Sequence, residues 1–123
     1  MLSTCDLIVF VPTTDGGRAR KFYVDVLKLE FEQEDNFAVV VKANGNAIRI
    51  VRMEKFTPAA YTILGWEVPD ILKAVEYLSG SGVSFLRYAY IQQDALGIWT
   101  APGGTKVAWF NDPDGNVLSI SQH

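Results

Sequence analysis

Strand alternation turns three charged side chains, Asp6, Arg49 and Glu67, away from a helix-covered core, and Ser119 falls at a similar position late in the chain. A carboxylate in an apolar concavity can have its pKa raised and act as a general base, which gives Glu67 a candidate catalytic role. A guanidinium can hold a carboxylate or phosphate through two parallel hydrogen bonds, the role open to Arg49. Phe10, Tyr88, Tyr90, Trp99 and Phe110 supply aromatic faces able to sandwich a planar ligand. The candidate ligand-binding set is therefore Asp6, Phe10, Arg49, Glu67, Tyr90, Trp99, Phe110 and Ser119. The chain has one histidine, His123, its last residue, and one cysteine, Cys5. Those counts exclude an internal disulfide framework and zinc sites built from several Cys and His ligands. A Ser-His-Asp or Cys-His mechanism would have to use a histidine at a fraying terminus.

The elements that position these residues belong to one domain of 123 residues, 49% hydrophobic and 20% charged. A net charge of -3 without a basic run argues against nucleic-acid binding. No apolar stretch approaches the roughly 20 residues that span a bilayer. The N-terminus lacks the basic region of a signal peptide, so a cytoplasmic protein is expected.

The chain repeats itself once. Residues 6–11 and 63–68 read as strands, followed by Asp15 and Asp70 as helix N-caps. The first helix carries Ala19, Phe22, Tyr23, Val26 and Leu27, and the second Ile71, Ala74, Val75 and Leu78. Both are single apolar stripes at helical spacing. Strand-like segments 29–32 and 83–86 come next. Segments 37–42 and 107–112 then lead into the hairpin signals Asn44-Gly45 and Asp114-Gly115. The last strands are 47–50 and 117–120. Each half is β-α-β-β-β: module one spans about 5–53, a linker 54–60, and module two about 61–122. The second half gains about 15 residues near 88–104. That insertion is either a wall or lid for a site, or a hairpin that extends the sheet or meets a second subunit.

With a helix on one side of each sheet, alternation assigns the faces. Leu7, Val9, Val11, Ile48, Ile50, Leu64, Trp66, Leu118 and Ile120 face the helices. Asp6, Ile8, Phe10, Arg49, Val51, Ile63, Gly65, Glu67, Ser119 and Ser121 face the other way. A two- or four-residue hairpin loop at 112–116 would place Ala108 and Phe110 beside Ser119, with Trp109 under the helix; a three-residue loop would swap them. The three charges must pair, meet a ligand or touch water.

The segment Arg18-Ala19-Arg20-Lys21-Phe22-Tyr23-Val24-Asp25-Val26-Leu27, followed by Leu29-Glu30-Phe31, resembles the first helix and strand of the vicinal oxygen chelate superfamily. This is the glyoxalase / bleomycin resistance protein / ring-cleaving dioxygenase group. Residues 107–118, including Asp112-Pro113-Asp114-Gly115-Asn116, resemble its closing hairpin. The resemblance covers essentially the whole chain. It departs at Lys28, where the family usually has glycine after the helix. It implies an α+β fold of two tandem βαβββ modules, forming a curved mixed sheet around a cavity with helices on the outer face. In the family's enzymes it also implies a divalent metal held by strand residues. Those positions here hold Asp6, Arg49, Ile63 and Ser119, of which only Asp6 is an ordinary ligand. No cofactor is therefore expected, and a divalent metal is disfavoured.

Two functions follow from the resemblance. The first is a metal-independent protein that binds a planar or anionic small molecule. The second is a lyase, isomerase or dioxygenase acting on a small carbonyl or aromatic compound, with Glu67 as base and a degenerate metal site. Family members commonly pair, so a homodimer is expected.

Overall fold

The computed structural model describes residues 1–123, which divide into two compact units, Met1–Thr57 and Pro58–His123. The first unit runs β1 (Ile8–Thr13), α1 (Gly16–Arg20), β2 (Glu30–Glu34), β3 (Ala38–Ala43) and β4 (Asn46–Arg52). The second runs β5 (Thr62–Glu67), α2 (Ile71–Gly80), β6 (Trp99–Thr100), β7 (Lys106–Asn111) and β8 (Val117–Gln122). Each unit is a βαβββ module with its own four-stranded mixed sheet, ordered β1-β4-β3-β2 in one and β5-β8-β7-β6 in the other. The first and last strands of each module pair in parallel and the remaining pairs are antiparallel. The α+β architecture of two tandem modules is thus carried as two sheets, one per unit. No helix is long and apolar enough to cross a membrane.

Local chemistry explains the elements. Asp15 accepts a hydrogen bond from the Arg18 N–H, and Asp70 from the Lys73 N–H, each at 3.1 Å. Each carboxylate satisfies a free donor of a first helical turn. The stripe from Ala19 to Leu27 does not stay α-helical: after Arg20 it widens into a π-helical turn, Lys21–Val26. Ala19 and Tyr23 remain one turn apart and fully buried. Lys28 ends the helix in the left-handed region at φ 62°. There the Leu27 and Leu29 N–H groups donate to the Phe22 and Tyr23 carbonyls at 2.9 and 3.0 Å.

In the first unit α1 packs on β3 and β4, over Val11, Val39, Val41, Ile48 and Ile50, all buried. Leu7 departs from the expected core set. It precedes β1 and is exposed, because pairing with β4 begins only at Ile8. In the second unit α2 buries Ile71 and Val75 toward β7 and β8, where Ala108, Phe110, Leu118 and Ile120 form the core.

The two hairpins differ in parity, which decides what faces where. Asn44 and Gly45, both at positive φ, form a two-residue loop that pairs Ala43 with Asn46. The second hairpin has three loop residues. Asp112 N–H donates to the Asn116 carbonyl and Gly115 N–H to the Asp112 carbonyl, each at 3.0 Å. Gly115 takes the left-handed conformation at φ 86° that makes the bulge. The Asp112 carboxylate accepts from the Asp114 and Asn116 N–H groups at 2.9 Å and from the Asn116 amide at 2.8 Å. Register therefore sets Trp109 opposite Ser119 and Phe110 opposite Leu118.

The edge of the second sheet is also built differently. The segment 83–86, expected as a full strand, contributes only the bridge Phe85 to Phe110, with the Leu86 N–H on the Trp109 carbonyl at 2.8 Å. The chain then loops out, and β6 pairs with the other end of β7, Trp99 opposite Val107. The insertion thus extends the sheet, sharing the edge of β7 with Phe85.

Candidate functional site

On the second sheet, the side turned away from α2 carries a cluster of four aromatic rings. Trp109 projects from β7 on the same side as Val107, and so as Trp99 of β6. The ring centroids of Trp99 and Trp109 are 6.1 Å apart, and Tyr88 meets Trp109 edge-on at 5.5 Å. Tyr90 lies 5.4 Å from Tyr88 and is exposed. Burial raises the pKa of the Tyr88 hydroxyl above its ordinary value, with Tyr90 adding to the shift, so Tyr88 stays a neutral donor at physiological pH.

The insertion holds these rings through its own hydrogen bonds. Gln93 donates from its amide to the Leu86 and Gly97 carbonyls at 2.9 and 2.8 Å, and accepts from the Tyr88 N–H at 2.8 Å. Asp94 accepts from the Leu96 and Ile98 N–H groups at 2.9 Å. Arg87 reaches the Ala95 carbonyl at 2.7 Å. These contacts fix Tyr88 on one side of the loop and Trp99 on the other. A shallow groove of about 610 Å³ lies along it, lined by Gln92, Asp94, Ile98, Trp99, Thr100 and Pro102.

Ser119 sits beside Trp109 on β8 and is 8% exposed. Its other neighbour is Gly65, where a Cβ would come within 3.0 Å of the Ser119 Oγ. A side chain at position 65 would therefore crowd the serine hydroxyl, which glycine avoids. One residue further along the same face, Glu67 lies opposite Ser121. One Glu67 oxygen accepts the His123 backbone N–H at 2.8 Å; the other contacts His123 Nδ1 and lies 3.5 Å from the Ser121 Oγ.

Two candidates change role. Phe110 is not on the side turned away from α2: it is 1% exposed, with Trp66 stacked on it at 6.5 Å and Phe85 edge-on at 5.6 Å. The three-residue loop gives that place to Trp109. Glu67, expected as a general base raised by an apolar surround, is exposed, and its pKa is lowered. The His123 backbone N–H is the main cause and the His123 side chain the next, because both stabilise the carboxylate. A weakened base does not suit proton abstraction near neutral pH.

The candidates of the first unit do not converge. Parallel register sets Phe10, not Asp6, beside Arg49. Asp6 is exposed, ahead of β1, and extrapolates to the level of Gly45, about 13 Å along the strand from Arg49. The two do not form an ion pair. Arg49 is half-buried between Phe10 and Val40 and helps to lower the pKa of Asp35, after the Phe37 and Ala38 N–H groups. The strongest ion-pair network is elsewhere: Glu34 takes Arg20 at 2.9 Å and also Arg52, and both lower its pKa.

These residues do not fit a divalent metal. Asp6 and Arg49 are separated, Ile63 has no donor atom and Ser119 is a neutral hydroxyl. No three His, Cys, Asp or Glu side chains are grouped to hold an ion. Sequence reasoning missed Trp109 and the Glu67–His123 contact, and placed Gly65 on this face without a role; only the odd-loop alternative at 112–116 signalled the first.

The sequence matches no family model and no curated protein. Solved structures do match. A member of the glyoxalase/bleomycin resistance protein/dioxygenase superfamily from Sphaerobacter thermophilus aligns with TM-score 0.76 at 23% identity, covering 100% of both chains. A glyoxalase/bleomycin resistance protein/dioxygenase from Alicyclobacillus acidocaldarius gives 0.74 at 14%, covering 98% of this chain and 92% of that one. Lactoylglutathione lyase from Agrobacterium tumefaciens gives 0.68 at 15%, covering 97% and 93%. With its two βαβββ modules aligned end to end on these structures, the chain has the fold of the glyoxalase/bleomycin resistance protein/dioxygenase superfamily.

Proposed function

We propose that the protein binds a planar small molecule on the aromatic face of its second module, without a metal. The observation that carries this reading is the Trp99–Trp109–Tyr88 cluster on the sheet side away from α2, with the Ser119 hydroxyl beside Trp109. Rings left partly in water, on a face away from the core, offer stacking area to a ligand at little conformational cost. The donor chemistry at Asp6, Arg49, Ile63 and Ser119 supports metal independence. The enzyme reading, a lyase, isomerase or dioxygenase using Glu67 as base, draws no support from a carboxylate already engaged by His123.

Calorimetric titration with 2-methoxynaphthalene, a neutral planar probe, tests the reading. Binding is expected to be unchanged by EDTA and weakened about tenfold by Trp109→Ala, one stacking contact being worth about 1 kcal/mol or slightly more. No binding, or binding that EDTA abolishes, would overturn it.

A further inference from the structure

We infer that His123, oriented by Glu67, is the hydrogen-bond acceptor for a hydroxyl on the ligand of this face, so that the ligand is a neutral hydroxylated arene. The inference rests on the aromatic-face reading and deepens it. Glu67 holds His123 twice, through the backbone N–H and through Nδ1. A carboxylate accepts only, so the neutral ring carries its proton on Nδ1 and leaves a lone pair on Nε2. The His123 side chain is 69% exposed. Both Glu67 oxygens are occupied by the chain itself, which makes Glu67 a positioning residue.

Register places this acceptor and the rings on one surface. Glu67 lies opposite Ser121, Ser121 opposite Val107, and Val107 opposite Trp99, a single row across the sheet. The neighbouring row is Gly65, Ser119 and Trp109. Across a row the backbones of the first and last strands are about 14 Å apart. Indole rings from one end and the carboxylate–imidazole pair from the other narrow that gap to the span of a fused-ring ligand. Between them the floor is Ser119 and Ser121 of β8, with Gly65 beside Ser119 adding no side chain. The strand positions of this face hold Thr, Gly, Glu, Val, Trp, Asn and Ser, alternation sends Lys106 to the other side, and the guanidinium of Arg87 in the insertion is taken by the Gln93 and Ala95 carbonyls. With no lysine or arginine there and a carboxylate present, the face matches an uncharged donor rather than an anion.

Calorimetry with 2-naphthol and 2-methoxynaphthalene at pH 7.5, in EDTA, decides the matter. The wild-type protein is expected to favour 2-naphthol about fivefold, the yield of one net hydrogen bond. His123→Ala should equalise the two probes, and Glu67→Gln should reduce the preference by less. A preference that survives His123→Ala, or a wild-type protein with none, overturns this inference and leaves the aromatic face standing. If neither probe binds, the aromatic-face reading falls and takes the inference with it.

Discussion

Truncating the neighbouring residues Phe110 and Trp109 separates the two sides of β7. Phe110 is buried between Trp66, Phe85 and Leu118. Phe110→Ala removes a packed ring and leaves a cavity, at a cost of about 3–5 kcal/mol. Trp109 is partly exposed and makes two ring contacts, to Tyr88 and Trp99. At about 0.5–1.5 kcal/mol per aromatic pair beyond the area buried, the two contacts of Trp109 contribute about 1–3 kcal/mol, and truncating a partly exposed ring opens no closed cavity. Urea unfolding followed by circular dichroism reads both. With a slope of about 1–3 kcal/mol per molar, Phe110→Ala should lower the midpoint by at least about 1 M, and Trp109→Ala by less. The larger residue should thus give the smaller loss. A Trp109→Ala protein less stable than Phe110→Ala would refute the three-residue register and put Phe110 on the face turned away from α2.

Two further predictions concern stability. Lys28→Gly should stabilise the protein by about 0.5–1 kcal/mol, because relief of the left-handed strain exceeds the entropy that glycine adds to the unfolded chain; a lower denaturation midpoint would contradict this. Glu34, Asp35 and Glu67 all have lowered pKa values, so the folded state binds fewer protons than the unfolded state as these groups titrate. Their contribution is complete above the ordinary carboxylate range and is lost as pH falls below about 4, through the lowered values. Urea midpoints from pH 7 to pH 2.5 should fall over that acid window, less steeply in Glu34→Gln, and a midpoint that rises on acidification would contradict the assignment.

The fold was legible where its signals are local. Asp15 and Asp70 cap helices three residues ahead of the N–H groups they accept from, and Asn44-Gly45 sets its own turn from two φ angles. The faces of β4 and β8 followed from alternation alone. The site was less legible because it depends on counts and partners that lie far apart in sequence. One residue in the Asp112–Asn116 loop decides whether Trp109 or Phe110 faces away from α2, and the Asp112 carboxylate fixes that count. The Glu67–His123 contact joins β5 to the residue that follows β8, with no periodic signal to announce it. Asp6 was assigned to a strand by extrapolated alternation, yet pairing with β4 starts at Ile8. The edge position of 83–86 was shared with Trp99–Thr100, since the longer insertion carries a β-forming pair of its own.

The central claim, a metal-free aromatic platform on the second sheet, is tested most directly by the indole N–H resonances. The chain has three tryptophans: Trp99 and Trp109 on the proposed platform, and Trp66 stacked on the core. Titration of the EDTA-treated protein with 2-methoxynaphthalene should shift the Trp99 and Trp109 signals and leave Trp66 in place. Shifts confined to Trp66, or no shift at saturating probe, would contradict the account.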